Sequence, residues 1–233
     1  MAFPDFLDNT FVAFCDISGF KQKMARNPTK AIHALEHFYS IVYTVLQKTR
    51  NQSTLPVYGL LVSDCAILVV DDRSHRNPTT ALQSLLAVVK QINEDALPYD
   101  LMLTTSIAFG PFIYSQRAEF FGIEKNMLAG AAYIEAYKDQ SGGKPKLKCG
   151  ECRIVRENLP PQILAELENN QRTVFPMVEK DRGCFYYYWM RRTREDIQAF
   201  KDAYRDTDDL KFLGIRLLLQ GHQDLNVVGN NNP

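Results

Sequence analysis

Two aspartates interrupt apolar runs at places where a charged core residue would be costly. Asp16 follows the run 11–15 and lies two residues before the Ser18-Gly19 bend, while Asp64 follows Ser63 between two further apolar runs. Taken alone, each aspartate is better explained as a structural residue, one capping a helix and the other occupying a turn. If they lie in one sheet, however, their like charges come close together and need a cation. The pair therefore predicts a site for Mg²⁺ or Mn²⁺.

Such a site is suited to phosphoryl chemistry, because two ions bridged by two carboxylates favour in-line displacement at phosphorus. The chain leaves Asp16 through Ile17, Ser18, Gly19 and Phe20, which enter a bend and then a helix. Backbone amides in that arrangement bind phosphate oxygens. We therefore predict a metal-dependent site that takes a phosphorylated substrate.

The apolar pattern predicts the elements that position the aspartates, in the order βαββαββα. Asn-Pro pairs mark two helix starts, and Asp64 falls at the turn of a hairpin. Gly110-Pro111 is expected to break the last long strand. The predicted strands cover 11–15, 57–62, 65–70, 101–109 and 112–114, and the predicted helices run from Asn27-Pro28 to about Asn51, from Asn77-Pro78, and over 126–140.

The pattern weakens after Gly142-Gly143, so we divide the chain there. We predict a first domain over 8–143, an α/β extension over 144–225 and a polar tail over 226–233. Within the extension, the predicted strands are 152–156, 173–178 and 184–189 with a turn at 180–183, and the predicted helices are 192–204 and 210–219.

Composition narrows the class of partner. The 233 residues are 45% hydrophobic, and 27 basic residues balance 27 acidic ones. A neutral chain gives no reason to expect a nucleic-acid or membrane partner. Five irregularly spaced cysteines and the lack of a long apolar run lead us to expect a cytoplasmic protein.

The first aspartate lies in a motif. The segment 14–20 resembles the Phe-x-Asp-Ile-x-Gly-Phe motif of class III nucleotidyl cyclases, Asp64 matches their second metal aspartate, and 105–110 is similar to a later strand-and-glycine element. The resemblance covers about residues 11–140. It implies an α+β, ferredoxin-like catalytic core, with helices packed on an antiparallel sheet, followed here by a C-terminal α/β extension.

Three positions depart from the family pattern. Purine cyclases usually place Lys or Glu where this chain has Leu60, and their transition-state Asn and Arg would fall at Ala129 and Tyr133. Either the active site has been rebuilt or the chain is a catalytically degenerate module that binds nucleotides or regulates a partner. A GGDEF-like phosphotransferase would share the two-ion chemistry, but this chain lacks a GGDEF-like hairpin sequence.

A narrower resemblance favours rebuilding. Tyr58-Gly59 followed by Ser63-Asp64 is similar to the pyrimidine cyclases of bacterial Pycsar antiphage systems. That family implies conversion of UTP or CTP, with UTP favoured, to cyclic UMP or cyclic CMP and pyrophosphate. It also implies a separate effector protein that senses the product.

The resemblance assigns roles to residues. Asp16 and Asp64 would be catalytic and would hold two Mn²⁺ or Mg²⁺ ions together with the Ile17 carbonyl. Family sites lie between subunits, which implies a head-to-tail homodimer in which the partner contributes groups from about 120–137. The substrate-binding candidates are Ser18, Gly19, Phe20 and Tyr58, and the candidate for transition-state stabilisation is Arg117.

Overall fold

The computed structural model describes residues 4–52, 55–73, 77–99, 101–120, 123–169 and 174–189. These residues form a single sheet of eight strands, with five helices packed on it. The strands are β1 Phe6–Ile17, β2 Val57–Val62, β3 Cys65–Val70, β4 Leu103–Phe120, β5 Ile123–Ala129, β6 Cys152–Ile154, β7 Val178–Asp181 and β8 Cys184–Tyr187. The helices are α1 Phe20–Arg26, α2 Pro28–Gln52, α3 Pro78–Ala96, α4 Ala131–Gly142 and α5 Pro161–Glu168, with a 3₁₀ turn at Leu97–Tyr99.

The sheet has the order β2-β3-β1-β4-β6-β8-β7, and β5 also pairs with β4. Neighbouring strands are antiparallel except for β4 and β6, which are parallel. The predicted α+β class, an antiparallel sheet with packed helices, is therefore confirmed. β1 lies in the middle of the sheet, which places its C-terminal end between two other strands.

The two faces of the sheet are buried under different helices, as the alternation of side chains along a strand requires. Phe11, Ala13 and Cys15 of β1 pack in the core formed with α2 and α3. Val12 and Phe14 point to the other face, where α4 covers them. Asp16 shares that second face because it follows Phe14 by two residues.

Both predicted Asn-Pro helix starts are confirmed. The Asn27 side chain accepts a hydrogen bond from the Lys30 amide at 3.1 Å, and α2 begins at Pro28. Asn77 accepts from the amides of the second and third residues of α3 at 3.1 and 3.2 Å. These caps satisfy amides that the first turn leaves without helical partners. Among the described residues, no helix has the length and apolar character needed to cross a membrane.

The predicted break at Gly110-Pro111 is wrong, because β4 continues through it to Phe120. Both residues are in register with β1. On the opposite edge of β4, pairing with β6 ends at Ile107 and pairing with β5 begins at Ile113. Pro111 therefore lies where none of the described strands occupies that edge, so its missing N–H group costs no ladder hydrogen bond there.

The predicted helix over 126–140 is wrong in its first part. Residues 123–129 form β5, which pairs with β4, and α4 begins only after Gly130, whose φ is 121°. A Cβ atom at Gly130 would fall on the backbone of Pro111 and Phe112. Hairpin pairing and this close approach override the local alanine-rich preference for helix.

The later strands differ in extent from the prediction. β6 and β8 are shorter than the strands predicted at 152–156 and 184–189, and β7 begins where the strand predicted at 173–178 was to end. Helix α5 was not predicted. The hairpin turn between β7 and β8 is confirmed, with Arg182 and Gly183 at φ 50° and 81°. The predicted helices 192–204 and 210–219 and the tail lie outside the described residues. The sheet runs across residue 143, and the division into domains stays a prediction.

Candidate active site

The site begins at the end of β1. Asp16 is paired with Cys65 of β3 on one side and with Thr104 of β4 on the other. Residues directly opposite each other in neighbouring strands present their side chains on the same face. The half-buried Asp16 carboxylate therefore lies among the side chains of three strands.

The hairpin turn brings Asp64 beside that strand end, as predicted. Ser63 and Asp64 form the two-residue connection between β2 and β3. The Ile17 amide donates to the Asp64 carbonyl at 3.1 Å, and the Tyr39 hydroxyl donates to the Ser63 carbonyl at 2.7 Å. Ser63 has φ 54°, and its hydroxyl donates to Asp64 Oδ1 at 3.0 Å. The turn is thus tied both to β1 and to α2.

The two predicted metal aspartates come together. One side-chain donor atom from each of Asp16, Asp64 and Cys65 lies within 4.8 Å of the other two. Burial raises the pKa of Asp16 and the charge of Asp64 raises it further, whereas hydrogen bonds from Cys65 and Gln140 act in the opposite direction. Two carboxylates held this close repel each other unless a cation lies between them.

The donor set fits a hard divalent cation. Carboxylate oxygens are the ligands that Mg²⁺ and Mn²⁺ prefer, and Asp16 and Asp64 supply them. The Cys65 thiol donates to Asp16 Oδ1 at 3.1 Å. Burial and the neighbouring carboxylates raise the thiol pKa, so Cys65 is a neutral hydrogen-bond donor in this arrangement.

Three residues at the site were not predicted from the sequence: Cys65, Thr104 and Gln140. The Gln140 amide donates to Asp16 Oδ2 at 3.0 Å and to Thr104 Oγ1 at 3.3 Å. Cys65 carried one usable signal, since it directly follows Asp64 in a predicted hairpin. The position of Gln140 depends on how α4 docks on the sheet, which no local pattern indicates.

The segment after Asp16 is only partly free to bind phosphate. The Ser18 amide donates to the Met102 carbonyl at 2.8 Å, and the Ile17 amide is engaged by Asp64. Gly19 is exposed and has φ 73°, whereas the Phe20 side chain is buried in the core. Among the described residues, the buried Ser18 Oγ has no hydrogen-bond partner. A substrate role for Ser18, Gly19 and Phe20 stays a prediction.

Tyr58 and Leu60 lie on β2, on the face of the sheet that carries Asp16. They are opposite Val69 and Ile67, and Leu60 packs against the apolar cluster around Phe14. The strand rise puts Tyr58 about 13 Å from the end of β2. The Arg50 guanidinium lies 5.7 Å from the centre of the Tyr58 ring. The Leu60 side chain has no polar group with which to recognise the edge of a base.

Arg117 is far from the aspartates within one chain. It lies on β4, opposite Lys125 of β5, thirteen residues beyond Thr104. That separation corresponds to about 40 Å along a strand. Arg117 could therefore stabilise a transition state only at the aspartates of a second copy of the chain.

The same fold occurs in solved structures. The chain is similar to the adenylyl cyclase CyaB from P. aeruginosa, with a TM-score of 0.53 and 14% identity over 66% of this chain and 80% of that chain. The fold is that of a class III cyclase catalytic core. A class III adenylyl cyclase-like ATP-binding protein from Pseudomonas aeruginosa matches with a TM-score of 0.50 and 15% identity, over 64% of this chain and 34% of that chain. No protein-family model and no curated protein matches the sequence.

These similarities confirm the predicted fold at low sequence identity. One of these two structures is of an adenylyl cyclase, and the other is of an adenylyl cyclase-like ATP-binding protein. Because a fold hosts more than one function, the function has to be argued from the residues of the site.

Proposed function

We propose that this protein is a nucleotidyl cyclase that converts a ribonucleoside triphosphate to a 3′,5′-cyclic mononucleotide and pyrophosphate. The observation that carries the proposal is the meeting of Asp16 and Asp64, whose donor atoms lie within 4.8 Å of each other. A module that only binds nucleotide has less need of two repelling carboxylates at this distance than an enzyme that uses metal ions for displacement at phosphorus.

The residues divide the work of the reaction. Asp16 and Asp64, with the Ile17 carbonyl, would hold two Mn²⁺ or Mg²⁺ ions. When bound, the ions lower the pKa of the ribose 3′-hydroxyl and neutralise charge on the triphosphate. The 3′-hydroxyl releases its proton to solvent, and its oxygen forms a bond to the α-phosphorus. The bond from that phosphorus to the oxygen bridging the α- and β-phosphates breaks, and pyrophosphate leaves in line. The Ser18–Phe20 bend contacts the phosphates.

The proposed substrate is a pyrimidine nucleotide, with UTP favoured over CTP. Leu60 stands where purine cyclases usually carry a polar residue, and it is packed among apolar side chains. Tyr58, on the same face of β2, would stack on the base or bond its edge. The proposal gains support from the Tyr58-Gly59 and Ser63-Asp64 resemblance to pyrimidine cyclases.

The proposed active form is a homodimer with composite sites, in which the partner supplies groups near 120–137 and Arg117. Exposed apolar side chains support an interface here: Met127, Ile134 and Tyr137 are 41%, 43% and 48% exposed. Side chains of this kind are enriched in the cores of interfaces. In a two-fold dimer the same patch would serve both sites.

The proposed setting follows from the family resemblance. The product would be a second messenger in the bacterial cytoplasm, sensed by a separate effector protein in antiphage defence. We propose no nucleic-acid or membrane partner, since the chain carries no net charge.

The test is incubation with each of the four ribonucleoside triphosphates and Mn²⁺, followed by separation of the nucleotides. We expect a cyclic pyrimidine nucleotide from the wild-type protein and none from Asp16→Ala or Asp64→Ala. The matched control is Asp95→Ala, which removes a carboxylate that accepts a hydrogen bond from Gln91 on α3. This variant should leave turnover unchanged. Tight nucleotide binding without turnover would refute catalysis.

The second candidate is a nucleotide-binding or regulatory module. It is favoured by Ala129 and Tyr133, at positions where the resemblance places the transition-state Asn and Arg, and by an ATP-binding protein with the same fold. The structure places Ala129 in β5 and Tyr133 in α4. This candidate predicts saturable binding that Asp16→Ala weakens, without any product.

The composite site has its own test. Asp16→Ala is mixed with Arg117→Ala, each inactive alone if both groups act at one site. A mixed dimer then carries one site with both defects and one with neither, so a one-to-one mixture should regain about a quarter of wild-type activity. Activity that stays at the level of the single variants would contradict the shared site.

A further inference from the structure

Gln140 of α4 donates a hydrogen bond to the carboxylate of Asp16. It lies in the last turn of α4, and its Nε2 atom is 3.0 Å from Asp16 Oδ2 and 3.3 Å from Thr104 Oγ1. An amide nitrogen carries two hydrogens, so it can serve both acceptors at once. The reverse orientation would place the amide oxygen against a carboxylate, so the assignment of the nitrogen is chemically required.

Both Asp16 oxygens are thus fixed by neutral donors. Cys65 donates to Oδ1 at 3.1 Å, and Gln140 donates to Oδ2. A carboxylate has about four lone-pair positions, so each oxygen keeps capacity for a cation. A Lys or Arg in either place would cancel the charge that attracts the ion, whereas an amide and a thiol orient the carboxylate and leave its charge intact.

The helix that carries Gln140 is anchored at the preceding residue. The Asp139 carboxylate accepts a hydrogen bond from Ser106 Oγ at 2.7 Å. It also pairs with Arg153 of β6, whose Nη2 lies 2.7 Å from Oδ1 and whose Nε lies 2.9 Å from Oδ2. Arg153 is only 1% exposed. The end of α4 is therefore bound to β4 and β6, so little further freedom is lost when Gln140 reaches Asp16.

We propose that Gln140 is a positioning residue for Asp16, and that the Asp139–Arg153 pair holds it in place. The amide keeps the carboxylate turned towards Asp64 before any substrate arrives. This inference rests on the proposed function, because it takes Asp16 and Asp64 to share divalent cations. Partners that orient a metal ligand from outside typically contribute about 10-fold to 100-fold in affinity.

The experiment measures Mn²⁺ binding without nucleotide, by following the electron paramagnetic resonance signal of free Mn²⁺ in a titration. Gln140→Leu should weaken Mn²⁺ affinity roughly 10-fold. The matched control is Gln91→Leu on α3, which removes a glutamine that donates to an aspartate of its own helix at 2.7 Å. It should bind Mn²⁺ like the wild type. Asp16→Ala should abolish the binding.

The outcomes separate this inference from the proposed function. If Asp16→Ala abolishes Mn²⁺ binding while Gln140→Leu keeps it within twofold of wild type, the inference is overturned and the proposed function stands. If the wild type binds no Mn²⁺, or Asp16→Ala binds it equally well, both fail. If Gln140→Leu does not fold, Gln140→Asn takes its place, because it keeps the amide but is too short to reach both acceptors. A wild-type Mn²⁺ affinity in Gln140→Asn would overturn the inference.

Discussion

The guanidinium of Arg153 forms a two-point ion pair with the carboxylate of Asp139 inside the protein. The distances are 2.7 Å from Nη2 to Oδ1 and 2.9 Å from Nε to Oδ2. Arg153 belongs to β6 and Asp139 to α4, so the pair joins a strand beyond residue 143 to the helix that bears on Asp16. The C-terminal strands are therefore part of the support of the candidate active site.

Removing one partner of this pair should be strongly destabilising. Asp139→Asn leaves the buried Arg153 charge without its carboxylate, and we expect the free energy of unfolding to fall by about 3–5 kcal/mol. Urea denaturation at neutral pH measures it. The control Glu168→Gln breaks the exposed ion pairs that Glu168 forms with Arg156 and Lys180, and it should cost about 1 kcal/mol or less. Equal losses in the two variants would contradict the inferred role.

Gly143 closes the end of α4 over the same pair, and a methyl group should not fit there. A Cβ atom would fall against the Arg153 guanidinium and against Asp139. We expect Gly143→Ala to lower the unfolding free energy by about 1–3 kcal/mol. Gly142→Ala is the neighbouring control, since its Cβ would meet nothing within 4 Å. This variant should raise the unfolding free energy by about 0.5 kcal/mol. Thermal unfolding measures both variants, and equal melting temperatures of Gly143→Ala and Gly142→Ala would contradict the predicted clash.

The turn that carries Asp64 should prefer glycine at position 63. Ser63 has φ 54°, a left-handed conformation that is unfavourable for residues with a Cβ atom. Ser63→Gly and Ser63→Ala both lose the hydroxyl that donates to Asp64 at 3.0 Å, so their difference reports the backbone alone. We expect the glycine variant to be more stable by about 1 kcal/mol in chemical denaturation. An alanine variant of equal stability would show that the turn relaxes.

The stability contributed by Asp71 should depend on pH. Hydrogen bonds from Arg73 keep the pKa of Asp71 below its usual value, with Nε 2.8 Å from Oδ1 and Nη2 2.7 Å from Oδ2. Because the folded pKa is lowered, this contribution is present above the unfolded pKa and is lost as pH falls through the folded one.

Asp71→Asn should therefore lower the unfolding free energy by about 1 kcal/mol or less at pH ~7, since Arg73 is partly exposed. The difference from wild type should shrink as the pH is lowered from about 4. Urea denaturation at neutral and acidic pH measures this. A difference that stays constant down to the most acidic condition would contradict a charge-dependent contribution.

Local signals predicted much of the first half of the fold. Asn27-Pro28 and Asn77-Pro78 mark helix starts because a side-chain cap and a proline act within one turn. The hairpin around Ser63-Asp64 was likewise predictable, because two apolar runs separated by two residues leave few other pairings. The predictions failed at 110–111 and at 126–129, where pairing of β4 with β1 and β5 decides the conformation.

The sequence by itself determined the motif around Asp16, the turn that carries Asp64 and the class of fold. Only the tertiary structure decided which uncharged groups surround the carboxylate, since Gln140 reaches Asp16 across 124 residues of chain. The same holds for the Asp139–Arg153 pair, which forms because α4 docks on the sheet that β6 extends. Helix caps, turns and alternating strands depend on neighbouring residues, whereas such contacts depend on the packing of whole elements.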